Sequence, residues 1–358
     1  MYVGMFVRTA QEGARARRVV SRACAAARHL ASGLLLASTV AHALDRSELA
    51  VVVNVQDPLS VGIGDYYAAR RSLSFQNIVR VSFAPHGPAL TREEFAAVKR
   101  ELDAQSLPRI QAYALTWAAP YRVECMSITS AVAFGFDSSL CAEGCRPTRA
   151  SPYFDSPSTR PYADLGVRPA MMIAATSIED ARRLVDRGVA SDGSVPRGTA
   201  YLLSTSDKAR NIRSPGYARI EAAFGARLHV EVLARDEVVD RQDVLFYFTG
   251  KVRVAGLETL GFVPGAVADH VTSTGGKLTD STQMSALTWL RAGATGSYGT
   301  VVEPCAMTPK FPDPAVLMAH YLAGERLIEA YWKSVRMPGQ GVFIGEPLAA
   351  PFRHVGQR

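Results

Sequence analysis

Val244 to Phe248 reads VLFYF, apolar at every position, and ends on Thr249-Gly250. A strand with one wet face alternates apolar and polar residues. A strand that does not alternate must be covered on both faces, as in a parallel sheet packed between helices. Leu49 to Val55 (LAVVVNV) has the same character. Helix signals separate such runs. Ser60 can cap a helix running through Arg71, and Thr91 with Glu94 has the capping-box spacing before a helix to about Gln105. Ser177 caps a helix through Gly188, Gly216 to Phe224 has helical character, and Asp313-Pro314 places a capping residue and a first-turn proline at another start. Gly324 interrupts that helix, and Leu327, Ile328, Tyr331, Trp332 and Val335 form the stripe of the next. Further strands are expected over Asn77–Phe83, Gln111–Val123, Ala170–Thr176 and Thr199–Thr205, with a last strand and turn at Phe343–Pro347. The alternation predicts an α/β fold whose mainly parallel sheet is flanked by helices and joined by right-handed crossovers.

The stretch from Pro264 to Cys305 organises the second half. It reads as a strand (Ala266–Ser273), a glycine break at Gly275-Gly276, a helix around Trp289 stopped by Gly293, and a small-residue strand from Ala294 to Val302. Ligands and catalysis in open α/β sheets sit outside the carboxyl ends of the strands. That edge is expected to carry Asp269, His270, Ser273, Glu303 and Cys305. Gly275-Gly276-Lys277 is not a phosphate loop, because Leu278 stands where that motif needs Ser or Thr.

The net charge of +7 is uneven: the first 43 residues hold six of the 40 basic residues and one of the 33 acids, leaving +2 for the rest. A nucleic-acid partner therefore loses its main support. The leader has an arginine-rich start, a short apolar run from Leu30 to Val40, and Ala41-His42-Ala43 as a small-x-small cleavage site. Removal after Ala43 is expected, with no transmembrane segment afterwards and a periplasmic or extracellular location. An uncleaved anchor is the rival, although the run is shorter than the roughly 20 residues a span requires. Beyond the signal peptide (1–43), the expected parts are an amino-terminal α/β half (44–141), a Pro/Gly-rich surface excursion (142–169), a carboxyl-terminal α/β half (170–352) and a tail (353–358).

Export makes disulfides permissible. Cys24 leaves with the leader, so Cys125, Cys141, Cys145 and Cys305 remain and allow three full pairings. Cys141 and Cys145 suit a small local disulfide loop. Cys305 then joins Cys125 or stays an inert thiol. No further ligands beside the pair suggest zinc, and neither a metal nor a cofactor is expected.

Two blocks carry a resemblance: VVVNVQDPLSVGIGDYYAARRSLSFQNIVRV, and ADHVTSTGGKL followed by WLRAGATGSYGTVVEPC. With KFPDP, EAYWKSVRMPGQG and GEPLAAPF, they resemble an uncharacterised family of secreted bacterial proteins from genomes that carry exosortase, the membrane enzyme linked to surface-protein sorting and exopolysaccharide export. The resemblance implies an envelope setting, with a cell-envelope protein or polysaccharide as partner. The second half also resembles the gingipain and caspase-like cysteine peptidases, in which one strand ends in His-Gly and the next in the nucleophilic Cys. Here those positions read Thr249-Gly250 and Thr272-Ser273, so a caspase- or gingipain-like core is expected without its dyad.

His270 is a candidate general base, since imidazole titrates near neutral pH, but neighbouring Asp269 points to the opposite face of the strand. Cys305 is a candidate displaced nucleophile, and Ser273 another, though without a G-x-S-x-G frame. Glu303, Asn54 and Asp57 are candidate ligand-binding residues, the last two in the same crevice as the others. The leading expectation is an exported non-peptidase accessory protein. The alternative is a hydrolase with a rearranged site around His270, Ser273, Glu303 and Cys305.

Overall fold

A computed structural model describes residues 43–85, 87–141 and 145–353. The leader, its cleavage motif up to His42 and Cys24 lie outside the described residues, as does the tail after Arg353. One sheet of ten strands runs through the described body. In chain order the strands are β1 (Leu49–Asn54), β2 (Ile78–Val81), β3 (Ala112–Leu115), β4 (Ala170–Met172), β5 (Thr199–Leu203), β6 (His229–Leu233), β7 (Val244–Gly250), β8 (Phe262–Val271), β9 (Gly296–Thr300) and β10 (Gly341–Gly345). Their spatial order is β2-β1-β3-β4-β10-β9-β8-β7-β5-β6. The ladders are parallel except that β10 runs antiparallel to β9 over five residue pairs. One pair, Ile344 with Met172, joins β10 to β4, too short a ladder to fix a direction.

Side-chain contacts fix it instead. Tyr121, beyond the end of β3, donates to Asp280 in the loop after β8. The Gln340 amide, just before β10, donates to the carbonyl of Glu303 after β9 at 2.9 Å. The carboxyl ends of both halves' strands therefore share one edge. Helices α1 (Pro58–Arg71) and α4 (Ile178–Ser191) run side by side away from it, tied by Tyr66 and Arg70 to Asp186. At the far end Arg71 meets Asp192 and Glu346.

Every residue of β1 and β7 is buried, which is why neither run alternates. The side chains of β7 divide between two apolar layers, with strict alternation broken by a register shift between Val244 and Phe246. Leu245, Phe246 and Phe248 face one, and Val244 and Tyr247 the other. Helix α8 (Leu327–Ser334) lays Trp332 on Phe343 with ring centroids 4.4 Å apart, and its indole donates to Ala170 O at 2.9 Å. Full burial of a large apolar side chain of this kind stabilises by roughly 1.5–3 kcal/mol.

The helix starts at Thr91, Ser177 and Asp313 are as expected: Thr91 Oγ1 accepts from Glu94 N, Ser177 Oγ from Asp180 N, and Asp313 from Ala315 N. Ser60 is a correction. Asp57 caps α1, accepting from Leu59 N, with Pro58 in the first turn. Ser60 Oγ instead accepts from Asn54 N at 2.9 Å and bonds Thr116 Oγ1 at 2.7 Å, locking the ends of β1 and β3 together.

The disulfide expectations are also corrected. The bonds are Cys125–Cys141 and Cys145–Cys305, so neither a Cys141–Cys145 loop nor a Cys125–Cys305 bond forms. Loops that leave the same sheet edge are brought together by strand order, which local spacing does not reveal. Two disulfides suit an oxidising compartment and are consistent with export. Among the described residues no helix is long and apolar enough to cross a membrane.

Candidate functional site at the carboxyl edge of the sheet

The ends of β8 and β9 flank a cleft of about 140 Å³ lined by Arg210, Thr272, Ser273, Glu303, Cys305 and Phe311, among others. Ser273, Glu303 and Cys305 are thus brought together. Asp269 and His270 lie beneath them, buried in the sheet. Asn54 and Asp57 stand on the same edge but five strands away, roughly 24 Å at about 4.8 Å per strand. The shared crevice expected for them does not form. Asn54 is spent on local structure, donating to Phe83 O at 2.9 Å and accepting from Phe83 N at 3.2 Å.

Asp269 faces one layer and meets Arg213 at 2.6 Å, with both side chains 2% exposed. Arg213 also donates to Thr249 O at 2.8 Å, so one guanidinium ties the ends of β7 and β8. Burial pushes the Asp269 carboxyl above the usual range against the pull of Arg213, and its Oδ2 has no partner among the described residues.

His270 faces the other layer. Its Nδ1 accepts from the Trp289 indole N–H at 2.9 Å, and its Nε2 lies 3.2 Å from Met284 O. An indole nitrogen only donates, so Nδ1 carries no proton and Nε2–H is the donor to the carbonyl. Desolvation pushes the imidazole down to about 4, so it is neutral at pH 7. Both nitrogens are engaged away from the cleft, which corrects the general-base expectation.

The sign of the resulting pH dependence follows. Between about pH 6.5, where a free imidazole titrates, and about 4, the unfolded chain binds a proton that the native state refuses. Stability is therefore fully present above 6.5 and falls as pH drops toward 4, by about 3 kcal/mol in all. Urea midpoints of the wild type and His270→Gln at pH 7 and 4.5 should show a steeper acid loss in the wild type. Parallel losses would contradict the buried neutral imidazole.

Cys305 has no thiol to offer. Its sulfur is bonded to Cys145, its backbone N donates to Glu303 Oε1 at 2.6 Å, and φ is 58° there and 51° at Ala306. Glu303 thus closes this loop with one carboxylate oxygen, Oε1, while still lining the cleft where a ligand-binding role was expected of it. At the end of β7, Gly250 lies under the 205–213 loop. A Cβ there would stand 1.9 Å from Arg210 O, and Thr205 Oγ1 donates to Gly250 O at 2.7 Å. Gly276 has a packing role of the same kind: its N donates to Thr300 O at 2.9 Å, and a Cβ would stand 2.4 Å from Gly299 O.

Sequence reasoning missed three residues. Arg213 and Arg210 come from a polar loop with no motif. Lys310, within KFPDP, is 1% exposed with an Nζ that has no partner among the described residues, and burial pushes its ammonium below the usual range. Among the described residues no cluster of three His, Cys, Asp or Glu side chains could hold a metal ion.

No family model matches the chain, and no curated protein matches it. Two solved structures are similar in backbone. One is a complex of the pro- and mature domains of RgpB from Porphyromonas gingivalis, at 11% identity over 84% of this chain and 79% of that one, with a TM-score of 0.46. The other is described as a protease, also 11% identical, over 86% of this chain and 79% of that one, with a TM-score of 0.44. Likenesses of this size carry nothing about chemistry; the α/β architecture stands on the chain's own sheet.

Proposed function

We propose that this is an exported accessory protein of the exosortase and exopolysaccharide system, which uses a gingipain-like scaffold to bind a glycan or a protein segment rather than to cut one. The observation that carries the reading is the closed chemistry of the strand ends. The one cysteine in the cleft is oxidised onto Cys145, and the one histidine beneath it has both nitrogens engaged. What remains is a hydroxyl at Ser273, a carboxylate at Glu303, a guanidinium at Arg210 and the ring of Phe311. Such groups hold a polar chain by hydrogen bonds and ring contact. A hydrolase needs a base within hydrogen-bond reach of its nucleophile, and His270 cannot serve Ser273 in that way. The envelope setting rests on the resemblance carried by the blocks at Val51–Val81 and in the second half.

Deleting the gene and scoring secreted polysaccharide and surface-protein sorting tests the assignment. Loss of either output is expected, restored by the wild type but not by Ser273→Trp, which fills the cleft. Normal output after deletion would count against the envelope role. Full rescue by Ser273→Trp would move the binding site elsewhere.

A further inference from the structure

Leu44, the residue that a cut after Ala43 makes first, is 1% exposed. Its backbone N lies 3.0 Å from Glu329 Oε2, and its carbonyl accepts from Arg326 Nε at 3.1 Å. Glu329 is 2% exposed. Its Oε2 also accepts from Arg326 N at 2.9 Å, while Oε1 has no partner among the described residues. The nearby cations are occupied. Lys333 Nζ sits 2.9 Å from Glu325, and the Arg326 guanidinium is spent on the carbonyls of Leu44 and Leu348. Among the described residues, this buried carboxyl thus receives two neutral N–H groups and no ion. Desolvation accordingly pushes it up to about 7, and a half-satisfied buried acid is costly.

We propose that removal of the leader completes this site: the amino group freed at Leu44 becomes an ammonium that pairs with Glu329 inside the fold. A leader peptidase and water supply the step. The Ala43–Leu44 amide bond breaks, hydroxyl goes to the Ala43 carbonyl carbon, hydrogen goes to the Leu44 nitrogen, and the amine takes a second proton from solvent. A single neutral donor is replaced by a charged group with three, facing a carboxylate with an oxygen to spare. Leu44 lies just before β1, and Glu329 on α8 packs beside β10, so the pair clips the start of the mature chain to its last helix. The inference rests on the export reading above.

The test uses the full precursor, exported with its own leader, beside a precursor carrying Gly-Ser inserted between Ala43 and Leu44. Mass spectrometry identifies each terminus. Mature protein beginning at Leu44 should melt several degrees above the Gly-Ser protein. Its terminal amine should react with an amine-acylating reagent at neutral pH at least roughly tenfold more slowly, since labelling requires local opening. Glu329→Gln should remove most of the difference in melting. A terminus other than Leu44 would overturn the leader reading and this proposal with it. A Leu44 terminus with equal melting and equal labelling would overturn the ion pair alone, and that comparison needs no substitution.

Discussion

With Cys145 and Cys305 both replaced by serine, the protein should lose about 5 kcal/mol of stability under non-reducing conditions, on the chain-entropy treatment of a cross-link. The bond closes a loop spanning 160 positions, far more than the 16 closed by Cys125–Cys141. A cross-link restricts the unfolded chain more as the loop lengthens, though slowly, with the logarithm of its size. Thus Cys125→Ser/Cys141→Ser should cost less than the long-range pair. The long bond also anchors the stretch that begins at Cys145 and packs over α8, where Ser151 N donates to Arg336 O at 2.7 Å and Asp155 N to Lys333 O at 2.9 Å. Urea midpoints of the two double variants and the wild type decide the matter. An unchanged midpoint in Cys145→Ser/Cys305→Ser would mean that the bond does not form.

The second large effect is at Asp269. Replacing it with alanine leaves Arg213 charged, buried and short of its carboxylate, and breaking a buried pair in this way costs about 3–5 kcal/mol. The pair is not thereby a large net stabiliser, since burying both ions has its own cost. Exchanging both residues together, Arg213→Met with Asp269→Leu, should be milder than Asp269→Ala alone. The recovery should be partial, because Thr249 O would lose the N–H that Arg213 donates at 2.8 Å. Equilibrium denaturation of the single and double variants measures this. A double variant no better than the single would show that the carbonyl contacts, rather than the charge pair, carry the stability.

Much of the fold was legible because it is written locally. Continuous apolar runs mark strands covered on both faces, and β7 spans Val244–Gly250 as read. The caps at Thr91, Ser177 and Asp313 lie within three residues of the groups they satisfy. Asp57-Pro58 carries the same cap-and-proline signal as Asp313-Pro314, and it is this signal, not Ser60, that marks the start of α1. Strand β6 (HVEVL) does alternate polar and apolar residues over its first four positions, but the run is short and sits at the sheet margin with one buried residue, so it lacks the continuous apolar character that marks β1 and β7.

The site was less legible because it is assembled from distant parts. Nothing local says that Arg213 will reach Asp269, 56 positions on, or that Cys145 will meet Cys305. His270 and Trp289 were both visible as residues. Which ring nitrogen the indole would occupy depends on how the helix beside β8 is turned, and that is decided by packing. The alternation rule did place Asp269 and His270 on opposite faces, and this is the geometry that keeps them from acting as a pair.

The proposed binding without cutting is tested most directly by a peptidase assay on purified mature protein. Arg-, Lys- and Asp-containing fluorogenic peptides should remain uncut, and thiol-peptidase probes should leave the protein unlabelled under non-reducing conditions. Peptide turnover that copurifies with the protein and disappears in Cys305→Ala would contradict the account, because it would require a free thiolate where the structure has a disulfide.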